Sequence, residues 1–209
     1  MSSKYSQSIF INCPFDELYL PLFHAMVFTI INCGFEVHCA KEGQDGGTTR
    51  IDRICSIISE CKFGIHDISR TELDHANQLP RFNMPLELGL FLGSKRFGDD
   101  KQQEKVCLIL DCEPYRFQKF ISDIAGQDIK AHQNEECKVI KLVRNWLQDF
   151  SKDRIIPGGK KMLDRYELFR SHLPEICEER HLQVEDLTFM DFTNVVYVWL
   201  DLDNTESIN

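Results

Sequence analysis

The sequence lacks any apolar run near the roughly 18 residues that a bilayer-spanning helix needs, so no membrane partner is expected. Its opening, MSSKYSQSIFINCPFDE, enters a strand-like stretch directly. It has none of the basic-then-apolar layout of a secretory signal. The nine cysteines include no Cys-x-x-Cys pair. An odd count without close pairs fits neither a disulfide framework nor a zinc finger, and reduced thiols in a cytoplasmic protein are expected. The seven histidines are dispersed and His-Glu-x-x-His is absent, so no metal site is expected. Also missing are a Gly-x-Ser-x-Gly elbow, a P-loop and a dinucleotide-binding glycine fingerprint. Positive charge is scarce: 24 Lys and Arg stand against 33 Asp and Glu, a net charge of -9. Attraction to a phosphate backbone needs the opposite balance, so a small molecule or a protein is the expected partner and nucleic acid is not. There is no internal repeat and no low-complexity tract.

What is present is an ordinary globular composition, 209 residues with 43% hydrophobic and 27% charged. That length suits one sizeable α/β domain with a small extra lobe. Residues 8–12, SIFIN, read as a strand stopped by Pro14. Leu18, Leu22, Ala25, Met26, Thr29 and Ile30 repeat at helical spacing before Gly34. Residues 35–39 alternate as a strand. Residues 41–49 hold three glycines and no apolar side chain, hence a loop. Ile51, Ile54, Cys55, Ile57 and Ile58 resume a helix, and residues 62–68 read as the next strand. A polar loop over 69–82 is long for a compact domain, and such loops often carry function. A helix then opens near Asn83-Met84-Pro85, with Pro suited to a first turn, and its run 86–95 is apolar nearly all round. Residues 106–110 are a continuous apolar run, the mark of a strand buried on both faces. Helices are expected over 116–125 and 135–150, with a short edge strand within 128–132.

This alternation predicts an α/β fold: a flavodoxin-like open parallel sheet with helices on both faces over residues 1–150. Residues 151–209 are expected to form a C-terminal helical extension, packed on the domain or on a second copy. In such sheets ligands bind beyond the C-terminal strand ends, where the strand order reverses. The first strand ends at Asn12-Cys13-Pro14-Phe15-Asp16 and the third at His66-Asp67-Ile68-Ser69-Arg70. Both ends are polar, and residues 82–87 can fold back over the same crevice.

Glu87 stands out. The reading places it in the first turn of its helix, where the macrodipole favours an anion by about 0.3–1 kcal/mol. Its neighbours Leu86, Leu88, Leu90, Phe91 and Leu92 imply a buried helix, on which a carboxylate is costly unless it is paired or faces a site. Gly89 and Gly93 each cost about 1 kcal/mol relative to Ala, implying close approach by backbone or ligand. A purely structural Glu87 would cap its helix or pair with an arginine such as Arg81. Asp67, ending a buried strand, is either an acid at the site or a loop cap. Two converging carboxylates could divide the work of attacking a sugar carbon and managing a proton. Asn83 could support Glu87 or cap the helix. His66 reads as a core or rim histidine and Cys13 as a buried thiol. Residues 43–50, which end in Arg50, resemble a phosphate-cradling loop only loosely; Arg50, Arg70, Arg81 and Arg96 read first as solvated.

The stretch Ile9-Phe10-Ile11-Asn12-Cys13-Pro14-Phe15 resembles the first-strand motif of nucleoside 2-deoxyribosyltransferases, and Met84-Pro85-Leu86-Glu87-Leu88-Gly89 resembles the helix start that carries their nucleophile. Asp67 is similar to a family Asp near the reacting base. NAD-hydrolysing TIR domains are similar in architecture and also use one Glu. The resemblance covers roughly residues 8–132; residues 81–85 and the tail beyond 157 depart from it. It implies N-glycosidic chemistry with Glu87 as nucleophile or as stabiliser of an oxocarbenium-like sugar, and Asp67 orienting the substrate or handling the leaving base's proton. It also implies substrate contacts from Asn12, Pro14, Phe15, Asp16, Ser69 and Asn83. No cofactor is expected, NAD entering as a substrate if at all. The architecture is similar to anti-phage or toxin-type bacterial effectors, and a homo-oligomer is expected. The rival expectation is a sensor of this fold that binds a nucleotide without cleaving it.

Overall fold

Alternation along the central strands sets the two faces of the sheet. The computed structural model describes residues 2–43, 45–73, 78–151 and 155–206. Within them β1 (Ser8–Asn12), β2 (Glu36–Cys39), β3 (Phe63–Asp67), β4 (Val106–Asp111) and β5 (Lys130–Ala131) form one five-stranded sheet in the order β2-β1-β3-β4-β5. Every pairing is parallel, with Ile11 opposite Cys39 and Ile65, and Ile65 opposite Leu108. This is the flavodoxin-like order. Ile9, Ile11, Phe63, Ile65, Leu108 and Leu110 join one core, while Phe10 joins another on the opposite face. Strands buried on both faces explain the unbroken apolar runs in the sequence.

The helices are α1 (Ser2–Tyr5), α2 (Leu20–Asn32), α3 (Arg50–Glu60), α4 (Asn83–Phe97), α5 (Asp100–Gln103), α6 (Glu136–Asp149), α7 (Gly159–Glu179) and α8 (Phe189–Glu206). Helices α2 and α6 cover one sheet face; α3 and α4 supply Ile54, Ile58 and Phe91 to the other. Helices α7 and α8 form a further layer outside α2. There Phe28 packs its ring near Tyr166, Phe169 and Trp199, with centroids 5.1–5.7 Å away. Helix α2 is buried from Leu22 to Ile31 save His24 because it lies between the sheet and this layer. Met162, Phe169, Phe192 and Trp199 share one continuous core with β1 and β3. Among the described residues no helix is long and apolar enough to cross a membrane.

Three expectations are corrected. Residues 116–125 form two short 3-10 turns, Arg116–Lys119 and Ser122–Ile124, rather than one helix. Phe120 and Ile121 have extended φ of -134° and -146°, which interrupt the helical path, yet Phe117, Phe120, Ile121 and Ile124 still cover Ile68 and Leu88. Leu18 lies before α2 and is exposed. Helix α4 is not apolar-buried all round: Met84, Glu87, Leu88 and Phe91 face inward at i, i+3, i+4, i+7 spacing, while Leu86 is 55% exposed.

Candidate active site

The strand order reverses between β1 and β3, since the chain leaves β1 to one side for β2 and returns on the other for β3. A crevice of about 620 Å³ opens there. One wall is the segment Asn12, Cys13, Pro14, Phe15 and Asp16 that follows β1. The second comes from the loop after β3, through Arg70, Glu72 and Leu73. The third is the start of α4, with Asn83, Met84 and Glu87, and Arg50 enters from the first residue of α3. Residues 74–77 of the long loop, and Gln44 of the glycine loop, lie outside the described residues; Leu73 and Pro80 pair across the former.

Glu87 is only 5% exposed, yet it lines this crevice. It sits in the second turn of α4, not the first as its sequence position led us to expect, and the first turn holds no acidic residue. The helix dipole is therefore a weak support, because its influence fades within one turn. Burial raises the Glu87 pKa; the Arg50 guanidinium, with Nη2 3.6 Å from Oε1, opposes that rise without cancelling it. Gly89 and Gly93 do not mark a close approach: a Cβ on either would meet nothing within 4 Å.

Asp67 is fully buried and does not line the crevice. Tyr19 donates its hydroxyl to Asp67 Oδ2 at 2.5 Å, and the Ser69 amide donates to Oδ1 at 2.8 Å. His132 Nε2 lies 2.9 Å from Oδ2. Asn134 N–H donates to the other ring nitrogen of His132, which leaves the proton on the side facing Asp67. Burial pushes the Asp67 pKa up, but hydrogen bonds from His132, Ser69 and Tyr19 outweigh it and hold the carboxyl below its usual range. A carboxylate so committed fastens the segment before α2 to the end of β3.

Of the expected binding residues, Asn12, Pro14, Phe15, Asp16 and Asn83 line the crevice with Glu87. Ser69 faces an adjoining cavity of about 400 Å³ instead. Asn83 makes no hydrogen bond to Glu87 and is not the helix cap, a place taken by Phe82 without a side-chain bond. His66 is fully buried between Phe10 and Phe91, and burial lowers its pKa to about 3, so it is neutral. Gly64 makes room for it, since a Cβ there would lie 2.6 Å from His66 Nε2. Burial pushes the Cys13 thiol well above its usual range, the opposite of an activated nucleophile.

Sequence reasoning undervalued the arginines. Arg50, Arg70 and Arg81 all line the crevice, while Arg96 is exposed elsewhere. Arg70 grips Asp16 through two bonds of 2.6 and 3.2 Å, closing the switch point from β3 to β1. Arg116 holds the base of this wall: it donates to buried Asp111, to Thr71 and to the Ser69 carbonyl. A signal for Arg50 existed. It follows Thr49, which accepts the Asp52 amide as the cap of α3, and a helix start after a parallel strand lies at the ligand-binding edge. Compared with known proteins, the chain matches no family model and no curated sequence.

Proposed function

We propose that this chain cleaves or exchanges the N-glycosidic bond of a nucleoside, nucleotide or NAD, with Glu87 as nucleophile or as the anion stabilising an oxocarbenium-like sugar. The observation carrying the proposal is a nearly buried carboxylate lining a crevice of about 620 Å³ at the strand-order switch point. A buried charge facing a ligand-sized cavity is costly to keep, and such groups mark functional sites. Pro14 and Phe15 give the base an apolar wall, and the arginines give a nucleotide's phosphate its counter-charge. Asp67 takes no proton-handling part here, being sealed behind the wall. Depletion of a nucleotide pool, as by an anti-phage or toxin-type effector, belongs to the same proposal. So does work in the cytoplasm as a homo-oligomer, for which exposed Met190, Tyr197 and Leu202 on α8 offer apolar surface; light scattering on the purified chain tests the assembly.

Chromatography of reactions with NAD and with a panel of nucleosides tests the chemistry, Glu87→Gln running beside the parent. Released nicotinamide or a released or exchanged base, lost in Glu87→Gln, supports it. Equal product from both proteins overturns it. The Arg50–Glu87 pair favours one other reading, a binding site without turnover, because a guanidinium-paired carboxylate is a weaker nucleophile. That reading predicts ligand-induced thermal stabilisation with no product.

A further inference from the structure

Asn12 is only 2% exposed yet lines the crevice, and the orientation of its side-chain amide is forced. Nδ2 lies 2.8 Å from the Met84 carbonyl oxygen, which can only accept, so the atom facing it is the amide NH2. The second N–H of that group faces His66 Nδ1 at 3.1 Å. His66 is neutral in its apolar seat, so Nδ1 accepts and the ring proton lies on Nε2. Both Asn12 donors are thus consumed by fixed acceptors. Among the described residues Oδ1 meets no donor, and it is not one of the sealed, unpartnered atoms; as Asn12 lines the crevice, Oδ1 is left there as a hydrogen-bond acceptor that cannot be exchanged for a donor by flipping.

We infer that Asn12 determines specificity: its Oδ1 accepts a hydrogen bond from the sugar 2′-hydroxyl, so the site takes ribonucleosides and ribonucleotides in preference to their 2′-deoxy forms. The inference rests on the Glu87 reading. Met84 stands one helical turn before Glu87, so the Asn12 amide abuts the turn that presents the carboxylate. The ligand groups nearest Asn12 are therefore those flanking the carbon that Glu87 faces. On a nucleoside those are the ring oxygen, the base nitrogen and the 2′-hydroxyl, and only the hydroxyl carries a proton to donate. A 2′-deoxy sugar would leave Oδ1 desolvated without a partner.

The test pairs adenosine with 2′-deoxyadenosine and AMP with dAMP, measuring kcat/KM on the parent protein and Kd on Glu87→Gln. An unmet buried acceptor costs about 1–3 kcal/mol, so the ribo form should be favoured roughly 5- to 150-fold in both measurements. Asn12→Ala, checked for folding by circular dichroism, should bring that ratio near one. Because the ligands alone vary in the first arm, a poorly folded Asn12 variant leaves the proposal testable. Equal or better use of the deoxy forms overturns it while leaving Glu87 chemistry standing. Ribo-selective binding without cleavage supports it and overturns the catalytic reading. Failure of all four compounds to bind overturns the inference, while the Glu87 reading stands or falls on the NAD and nucleoside panel.

Discussion

Arg50 Nη2 lies 3.6 Å from Glu87 Oε1, joining a half-exposed guanidinium to a carboxylate only 6% exposed at its side chain. The pair spans the crevice mouth from the first residue of α3 to the second turn of α4. Burial raises the pKa of Glu87 and Arg50 restrains that rise. The charge state of the candidate nucleophile is therefore set by a residue 37 positions away in sequence, and by how much water the crevice admits.

Replacing Arg50 by Ala should shift the acidic limb of any Glu87-dependent pH–rate profile to higher pH, since the restraint on the carboxyl is gone. Carbodiimide labelling of Glu87, read by mass spectrometry across pH, reports the same shift without relying on turnover. An unchanged titration would show that the pair is only a surface contact.

Glu87→Gln should abolish product formation and raise the melting temperature at pH 7.5. The sign follows from linkage. A carboxyl whose folded pKa is raised stabilises the fold below its unfolded value near 4.3 and loses that contribution as pH rises through the folded value. A neutral Gln does not incur that loss, so calorimetry at pH 7.5 should favour the variant, with the two proteins converging near pH 4.

Tyr19→Phe should cost about 1–3 kcal/mol in urea unfolding at pH 7, because a buried carboxylate loses a donor now held at 2.5 Å. Asp67 has a depressed folded pKa, so its contribution is present above an unfolded value near 3.9 and is lost as pH falls through the folded value. The penalty of the substitution should shrink over the same acid range. A penalty independent of pH would place the effect in packing.

Gly89→Ala should stabilise the protein by about 0.5–1 kcal/mol, a rise of roughly 1–4 °C in Tm at this chain length. The position is helical, exposed, and open around its Cβ direction. Lost stability would mean that a ligand or partner comes close at this point.

His24 stacks on Phe192 with ring centroids 3.8 Å apart, and burial pushes its pKa down to about 4. The unfolded chain binds this proton near pH 6.5, so the α2–α8 contact contributes fully above that pH and its contribution fades as pH falls toward 4. His24→Phe should flatten the fall in urea midpoint between pH 6.5 and 4.

The strands were legible because burial on both faces leaves continuous apolar runs, as in Ile9–Ile11 and Leu108–Leu110. Helix α4 was legible in place but not in exposure, since Leu86 read as core yet is exposed, and Leu90 and Leu92 are only partly buried beside the 84, 87, 88 and 91 stripe. Pro14 and Phe15 could be assigned to the crevice because a strand end at the switch point has one place to go. Ser69 and Asp67 could not, because one residue of offset past a strand end turns a side chain to the other face of the sheet.

The sequence by itself determined the alternation of elements, the parallel sheet and the edge at which the crevice opens, because those follow from local periodicity and from burial. Only the tertiary structure decided which polar groups meet there. It sealed Asp67 against Tyr19 and His132 and brought Arg50 to Glu87. It also turned the Asn12 carbonyl toward the crevice by using its amine on Met84 and His66. Partners separated by 37 to 72 positions leave no mark in local pattern; their pairing is fixed by the register of β1 against β3 and by the helices that this register positions.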